Sequence, residues 1–185
     1  TRRSSDLGLY LFLDGARLGY GLAAPDNDLT LPEIAALCDV FYIGGTKVGA
    51  LFGEAVVIKN PELAQDFRYL IKQNGGMLAK GRLLGLQFDA LFTDGLYQEI
   101  SAHAIAMAEK LREAFTAKGY NYLAPNRTNQ IFVIVPDAHL AKISEQFEYS
   151  YDQRIDATHS CVRFCTSWAT KEENVDALIR CVEKL

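Results

Sequence analysis

The stretch Leu9-Tyr10-Leu11-Phe12-Leu13-Asp14-Gly15-Ala16-Arg17 decides the fold. Five apolar residues in a row, without alternation, describe a strand covered on both faces, and such strands belong to parallel sheets flanked by helices. The run stops at Asp14-Gly15, a turn pair at the carboxyl end of the strand, the edge where open α/β sheets place their ligands. Outward from it, Val40-Phe41-Tyr42-Ile43 and Glu54-Ala55-Val56-Val57-Ile58 are two further short strands. Between them lies Gly44-Gly45-Thr46-Lys47-Val48-Gly49-Ala50, a loop of small residues around one lysine. Thr30-Leu31-Pro32-Glu33 is a capping box and predicts a short helix to about Leu37.

Downstream, Asn60-Pro61-Glu62 offers a capping side chain followed by proline at the first helical position. It predicts a helix to about Gln73, stopped by Asn74-Gly75-Gly76. A second helix is expected over 78–92, with Leu83, Leu84, Leu86, Phe88 and Leu91 dense enough for burial on more than one face. A long third helix over 95–118 ends at Gly119, a good C-cap. The pattern then changes: a strand over 131–135, a short helix capped by Asp137, a polar stretch over 149–160 and a strand over 161–167. Thr170-Lys171-Glu172-Glu173 introduces a final amphipathic helix with Val175, Leu178, Ile179 and Val182 inside. Strand, helix, strand, helix at this length reads as a small α+β domain. The expected division is 1–94 and 95–185.

Composition bounds the rest. Hydrophobic residues at 49% and charged residues at 23% of 185 describe a globular chain, not a disordered one. Nineteen basic against 23 acidic side chains leave a net charge of −4, which gives no sign of a nucleic-acid or anionic-membrane surface. No apolar run reaches the ~18–20 residues of a membrane span. The opening Thr1-Arg2-Arg3-Ser4-Ser5-Asp6 is polar, without the apolar core of a secretory signal. Cys38, Cys161, Cys165 and Cys181 form no C-x-x-C pair, so no metal site is expected, and they read as free thiols in a reducing cytoplasm.

Three residues share a chemical logic. Asp14 stands beyond a strand end, Arg17 follows three residues later, and Lys47 sits where glycines let the backbone bend and a planar ligand approach. This set suits pyridoxal phosphate: a lysine amine for the aldehyde, a carboxylate for the pyridine nitrogen, and an arginine for the ring oxygen or a carboxylate. Each residue taken singly has a plainer reading. Asp-Gly is a common turn, Arg17 a solvated loop charge and Lys47 an exposed lysine.

Phe12-Leu13-Asp14-Gly15-Ala16-Arg17-Leu18 resembles the H-x-D-G-A-R-[LF] signature of the low-specificity threonine aldolases, in the β-eliminating lyase group of fold-type I pyridoxal-phosphate enzymes. Phe12 stands where many relatives carry histidine. The segment 41–50 resembles that family's cofactor-lysine loop, and Leu78-Ala79-Lys80-Gly81-Arg82 its following helix start. Thr128-Asn129-Gln130-Ile131-Phe132 is similar to its small-domain strand, and the segment 162–170 to its C-terminal arginine strand. The resemblance runs from about Gly8 onward. It implies an α/β fold made of the C-terminal part of a fold-type I large domain plus a small α+β domain. The family's N-terminal half, with its phosphate loop and ring-stacking residue, is expected outside these residues.

Residue by residue, the resemblance implies that Lys47 is catalytic and carries the Schiff base, and that Asp14 pairs with the pyridine nitrogen. Arg17 reaches the ring hydroxyl or the substrate carboxylate, Thr46 helps hold the phosphate, and Arg163 binds the substrate carboxylate through its planar fork. The implied reaction is retro-aldol cleavage of a β-hydroxy-α-amino acid, such as threonine, to glycine and an aldehyde. The implied assembly is a homo-oligomer, a dimer or tetramer, acting on a small amino-acid substrate in the cytoplasm. Another fold-type I β-eliminating lyase, an aminotransferase, or a non-catalytic fragment are the alternatives. His103, His139 and His159 read as ordinary helix or loop histidines.

Overall fold

The computed structural model describes residues 4–185. The polar opening Thr1-Arg2-Arg3 lies outside them. The chain divides into two compact units, Thr1–Leu22 with Asn27–Glu99, and Ala23–Asp26 with Ile100–Leu185.

The first unit holds three strands, β1 (Phe12–Leu13), β2 (Val40–Gly44) and β3 (Glu54–Ile58), in the order β1-β2-β3. β1 runs parallel to β2, with Phe12 opposite Val40 and Leu13 opposite Phe41. β3 returns antiparallel, with Tyr42 opposite Val56 and Gly44 opposite Glu54. Around them lie α1 (Leu18–Leu22), α2 (Leu31–Leu37), α3 (Phe67–Gln73), α4 (Arg82–Phe92) and the start of α5 (Leu96–Ala117). Phe41 and Ile43 of β2 are buried with Tyr20, Ile34, Val48, Leu91 and Tyr97. The capping box forms as the sequence indicates, the Thr30 N–H donating to Glu33 Oε2 at 2.7 Å.

Three expectations are corrected here. The apolar run 9–13 pairs as a strand only at Phe12–Leu13, and Leu9, Tyr10 and Phe12 are 60%, 59% and 59% exposed. Its only strand neighbour among the described residues is β2, so one edge and much of both faces stay uncovered. The helix expected over 60–73 is interrupted. Asn60 caps as read, its Oδ1 accepting the Glu62 N–H at 3.0 Å, but a 3₁₀ turn over Pro61–Ala64 gives way at Asp66, which is left-handed at φ 55°. A short polar side chain tolerates that conformation better than most. The next helix starts at Arg82, after Gly81, and buries only Leu91; Leu83 and Leu86 are about half exposed.

The second unit is a four-stranded antiparallel sheet in the order β4 (Asn121–Tyr122), β5 (Gln130–Pro136), β7 (His159–Cys165), β6 (Ser150–Arg154). Its core is one cluster. α5 contributes Met107, Ala108, Leu111 and Phe115, a helical stripe. Ile131, Val133 and Val135 of β5 alternate inward, as do Val162 and Phe164 of β7. α6 (Asp137–Ile143) adds Leu140 and Ile143, and α7 (Glu172–Glu183) adds Val175, Leu178 and Val182. The Phe115 and Phe164 rings stand 5.4 Å apart.

Two helix starts differ from expectation. Pro136, not Asp137, occupies the position before α6, because the Asp137 carboxylate is taken by Arg154 and by the Ser160 hydroxyl at 2.8 Å. Lys171 precedes α7, and the Thr170 hydroxyl instead accepts the Ser167 N–H at 2.8 Å. β6 forms inside the stretch read as merely polar.

Candidate functional site

The parallel register of β1 and β2 carries Asp14 to the side of Tyr42, one residue beyond the Leu13–Phe41 pair. Two glycines make the approach possible. A Cβ on Gly15 would fall 1.7 Å from the Tyr42 carbonyl oxygen, and one on Gly44 would fall 2.3 Å from the Ala16 carbonyl oxygen. The Gly44 N–H closes the joint by donating to the Gly15 carbonyl at 2.9 Å.

On this frame the Tyr42 hydroxyl donates to Asp14 Oδ1. The Ala16 N–H donates to the same oxygen at 3.1 Å. The Tyr42 hydrogen bond, the Ala16 N–H and the positive charges of Lys47 and Arg17 hold the Asp14 carboxyl below its ordinary range. In return, the Asp14 carboxylate pushes the Tyr42 phenol up to about 12. Asp14 is therefore an anion at neutral pH, with two cations near enough to act on it.

The lysine loop is fixed by its backbone. The Gly45 N–H donates to Glu54 Oε2 at 3.0 Å. The Val48 and Ala50 N–H groups both donate to the Gly45 carbonyl, at 2.9 and 3.0 Å. Val48 is fully buried and anchors the turn, while the Thr46 and Lys47 side chains are exposed. The Tyr20 hydroxyl donates to the Lys47 carbonyl. The Tyr97 hydroxyl donates to the Gly44 carbonyl at 2.9 Å and accepts the Gly19 N–H at 3.1 Å, tying α1 to the loop. Burial pushes the Tyr97 phenol up to about 12. The structure thus brings Asp14, Arg17, Thr46 and Lys47 to one end of the three-stranded sheet.

Arg163 belongs to the second unit, on β7, opposite Phe132 of β5 and Ser150 of β6. Its Nη1 donates to Gln130 Oε1 at 3.2 Å and its Nη2 to Ser150 Oγ at 3.3 Å, while Nε is buried with no hydrogen-bond partner among the described residues. It forms no ion pair among the described residues. The guanidinium lines a cavity of about 360 Å³ together with Tyr149, Cys165, Thr170 and Asn174. A half-buried guanidinium without a carboxylate partner is suited to an anionic ligand. The three histidines have local partners: His103 the Thr170 carbonyl, His139 the Tyr120 hydroxyl, His159 the Asp156 carboxylate.

Tyr42, Tyr20, Tyr97 and Glu54 were not picked out by sequence reasoning. Tyr42 stands in a stretch that reads as strand, but its hydroxyl acquires a partner only through the register of a residue 28 positions away.

Over 177 residues the chain is 32% identical to the low-specificity L-threonine aldolase of a Pseudomonas species, covering 94% of this chain and 49% of that protein. The Pseudomonas aeruginosa low-specificity L-threonine aldolase is 30% identical, with 95% and 50% covered. The structure superposes on Leishmania major threonine aldolase with a TM-score of 0.95 at 42% identity, over 98% of this chain and 53% of that one. In the stretch it covers, the chain is similar to threonine aldolases. It spans about half the length of the curated relatives it matches. More distant solved structures, below 25% identity, share the fold alone, and that fold is fold-type I. No protein-family model matches the sequence. Among the described residues, no helix is long and apolar enough to cross a membrane.

Proposed function

We propose that these residues supply the lysine side of a threonine aldolase site, which cleaves a β-hydroxy-α-amino acid, such as threonine, to glycine and an aldehyde. The observation that carries this reading is the gathering of Asp14, Arg17 and Lys47 at one sheet end, with the Asp14 carboxyl held ionised by its neighbours. The donor set fits pyridoxal phosphate: an amine, a carboxylate and a guanidinium stand together, close enough for both cations to act on the carboxylate.

When bound, pyridoxal phosphate supplies a sink for the electron pair released as the Cα–Cβ bond breaks. Lys47 offers the amine that holds the cofactor's aldehyde carbon. Asp14 keeps a proton on the ring nitrogen by presenting a negative charge to it. Arg17 binds the ring hydroxyl or the substrate carboxylate, Thr46 helps hold the phosphate, and Arg163 grips the substrate carboxylate with two parallel N–H groups. Residues 1–94 then form the cofactor-binding part and 95–185 the small domain. The same reading carries a homo-oligomer, dimer or tetramer, in the cytoplasm, and the exposed Leu83 and Leu86 suit burial against a second copy.

The test is product analysis of purified protein supplied with pyridoxal phosphate and threonine. Glycine and acetaldehyde in equal amounts are expected, lost in Lys47→Ala. Ammonia with a keto acid, or full activity in Lys47→Ala, would overturn the reading.

A further inference from the structure

We propose that Tyr42 is a positioning residue, which dedicates one oxygen of Asp14 to the protein so that the other is aimed at the ring nitrogen of the cofactor. This rests on the reading of Asp14 and Lys47 given above and adds to it a residue that acts through Asp14.

The geometry is asymmetric. Both donors found on Asp14, the Tyr42 hydroxyl and the Ala16 N–H, go to Oδ1. A carboxylate has room for about four hydrogen bonds. With Oδ1 holding two protein donors, Oδ2 is the oxygen left to receive a proton-bearing ring nitrogen. Two donors fixed by backbone register also stop the carboxylate from rotating about its own bond.

Tyr42 is itself held. Its backbone pairs with Val56 of β3, its carbonyl oxygen is pressed against Gly15, and its ring packs at 6.0 Å from that of Phe12. The phenol keeps its proton across the whole working range because Asp14 raises it to about 12, so it is always a donor and never a competing anion. Arg17 and Lys47 also face Asp14, and both are cations that favour its charged form. They carry proposed duties toward ligand, however, whereas the Tyr42 hydroxyl is placed on Asp14 alone among the described residues.

The experiment compares pyridoxal phosphate with its carbocyclic analogue, which has carbon in place of the ring nitrogen, on parent holoenzyme and Tyr42→Phe. The substitution removes one oxygen and keeps the ring against Phe12, and thermal melting checks that it folds. Tyr42→Phe is expected to weaken pyridoxal phosphate by roughly three- to tenfold, and to leave the carbocyclic analogue unchanged. In an Asp14→Asn background, Tyr42→Phe is expected to add nothing. Equal loss for both cofactors would show a merely structural role and overturn the proposal. If Tyr42→Phe melts far below the parent, 3-fluorotyrosine at position 42 keeps the packing. The pH dependence of the bound cofactor's visible band must then move with the acidity of the phenol, and no movement overturns the proposal. Borohydride reduction of the parent, followed by peptide mapping, separates the two readings. Absence of label on Lys47 defeats the cofactor reading itself, whereas label on Lys47 without selectivity at Tyr42 defeats only the positioning role.

Discussion

Replacing Gly15 by alanine strikes the joint on which the candidate site is built. The added methyl would stand 1.7 Å from the Tyr42 carbonyl oxygen, where ordinary contact begins at 3.4 Å. The obstacle is backbone, not a side chain that can swing aside, so the ends of β1 and β2 must part by well over an ångström. That movement pulls the Gly44 N–H from the Gly15 carbonyl, now 2.9 Å away. One lost hydrogen bond costs about 1 kcal/mol and forced overpacking about 1–3 kcal/mol, so about 2–4 kcal/mol is expected. Gly85 is the internal control. It lies within α4, and a Cβ there meets nothing within 4 Å. Gly85→Ala is expected to stabilise by about 1 kcal/mol, since glycine is a poor helix former. Urea unfolding measures the totals, and hydrogen exchange at the Gly44 amide reports the joint itself. The reasoning fails if Gly15→Ala matches the parent in both, or if Gly85→Ala destabilises as much as Gly15→Ala.

Other expected outcomes are as local. Phe115→Ala removes a fully buried ring in contact with Phe164 and Tyr120 and should cost about 3–5 kcal/mol, read as loss of exchange protection in β5 and β7. Arg163→Lys replaces a planar fork by a point charge; with the proposed role, KM for the amino acid should rise roughly tenfold or more while cofactor labelling is unchanged. The Asp156 carboxyl is pulled down to about 2, first by the Thr158 N–H and then by the ring and N–H of His159. A lowered carboxyl adds stability above its ordinary value and loses it as pH falls through the folded one. Melting temperature should therefore fall between pH 3.8 and about 2 in the parent, and this acid limb should flatten in Asp156→Asn.

Much of the chain was legible because its signals are local. The capping box at Thr30, the glycine after α5 and the apolar run that forms β5 each need only a few neighbouring residues, and each appears in the structure. That Asp14, Arg17 and Lys47 come to one end of a sheet was legible for a similar reason, since they stand in loops that directly follow strands. What escaped depends on partners distant in sequence. β6 is exposed at every position and shows no apolar pattern, so only its pairing with β7 reveals it. The run 9–13 reads as buried because its composition is that of a covered strand. The described residues provide β2 on one side and nothing comparable on the other. Tyr42 and Tyr97 look like core aromatics in sequence; the Tyr42 hydroxyl gains meaning from Asp14 only once the sheet register is known, and that of Tyr97 from Gly44 only once α5 is packed beside the loop.

The most direct test of the central reading is covalent trapping. Purified protein is mixed with pyridoxal phosphate, reduced with borohydride, digested, and the modified lysine found by peptide mass. One equivalent of label confined to Lys47, and sharply reduced in Asp14→Asn, is the expected result. Label spread over the surface lysines, or unchanged at Lys47 when Asp14 loses its charge, would contradict it.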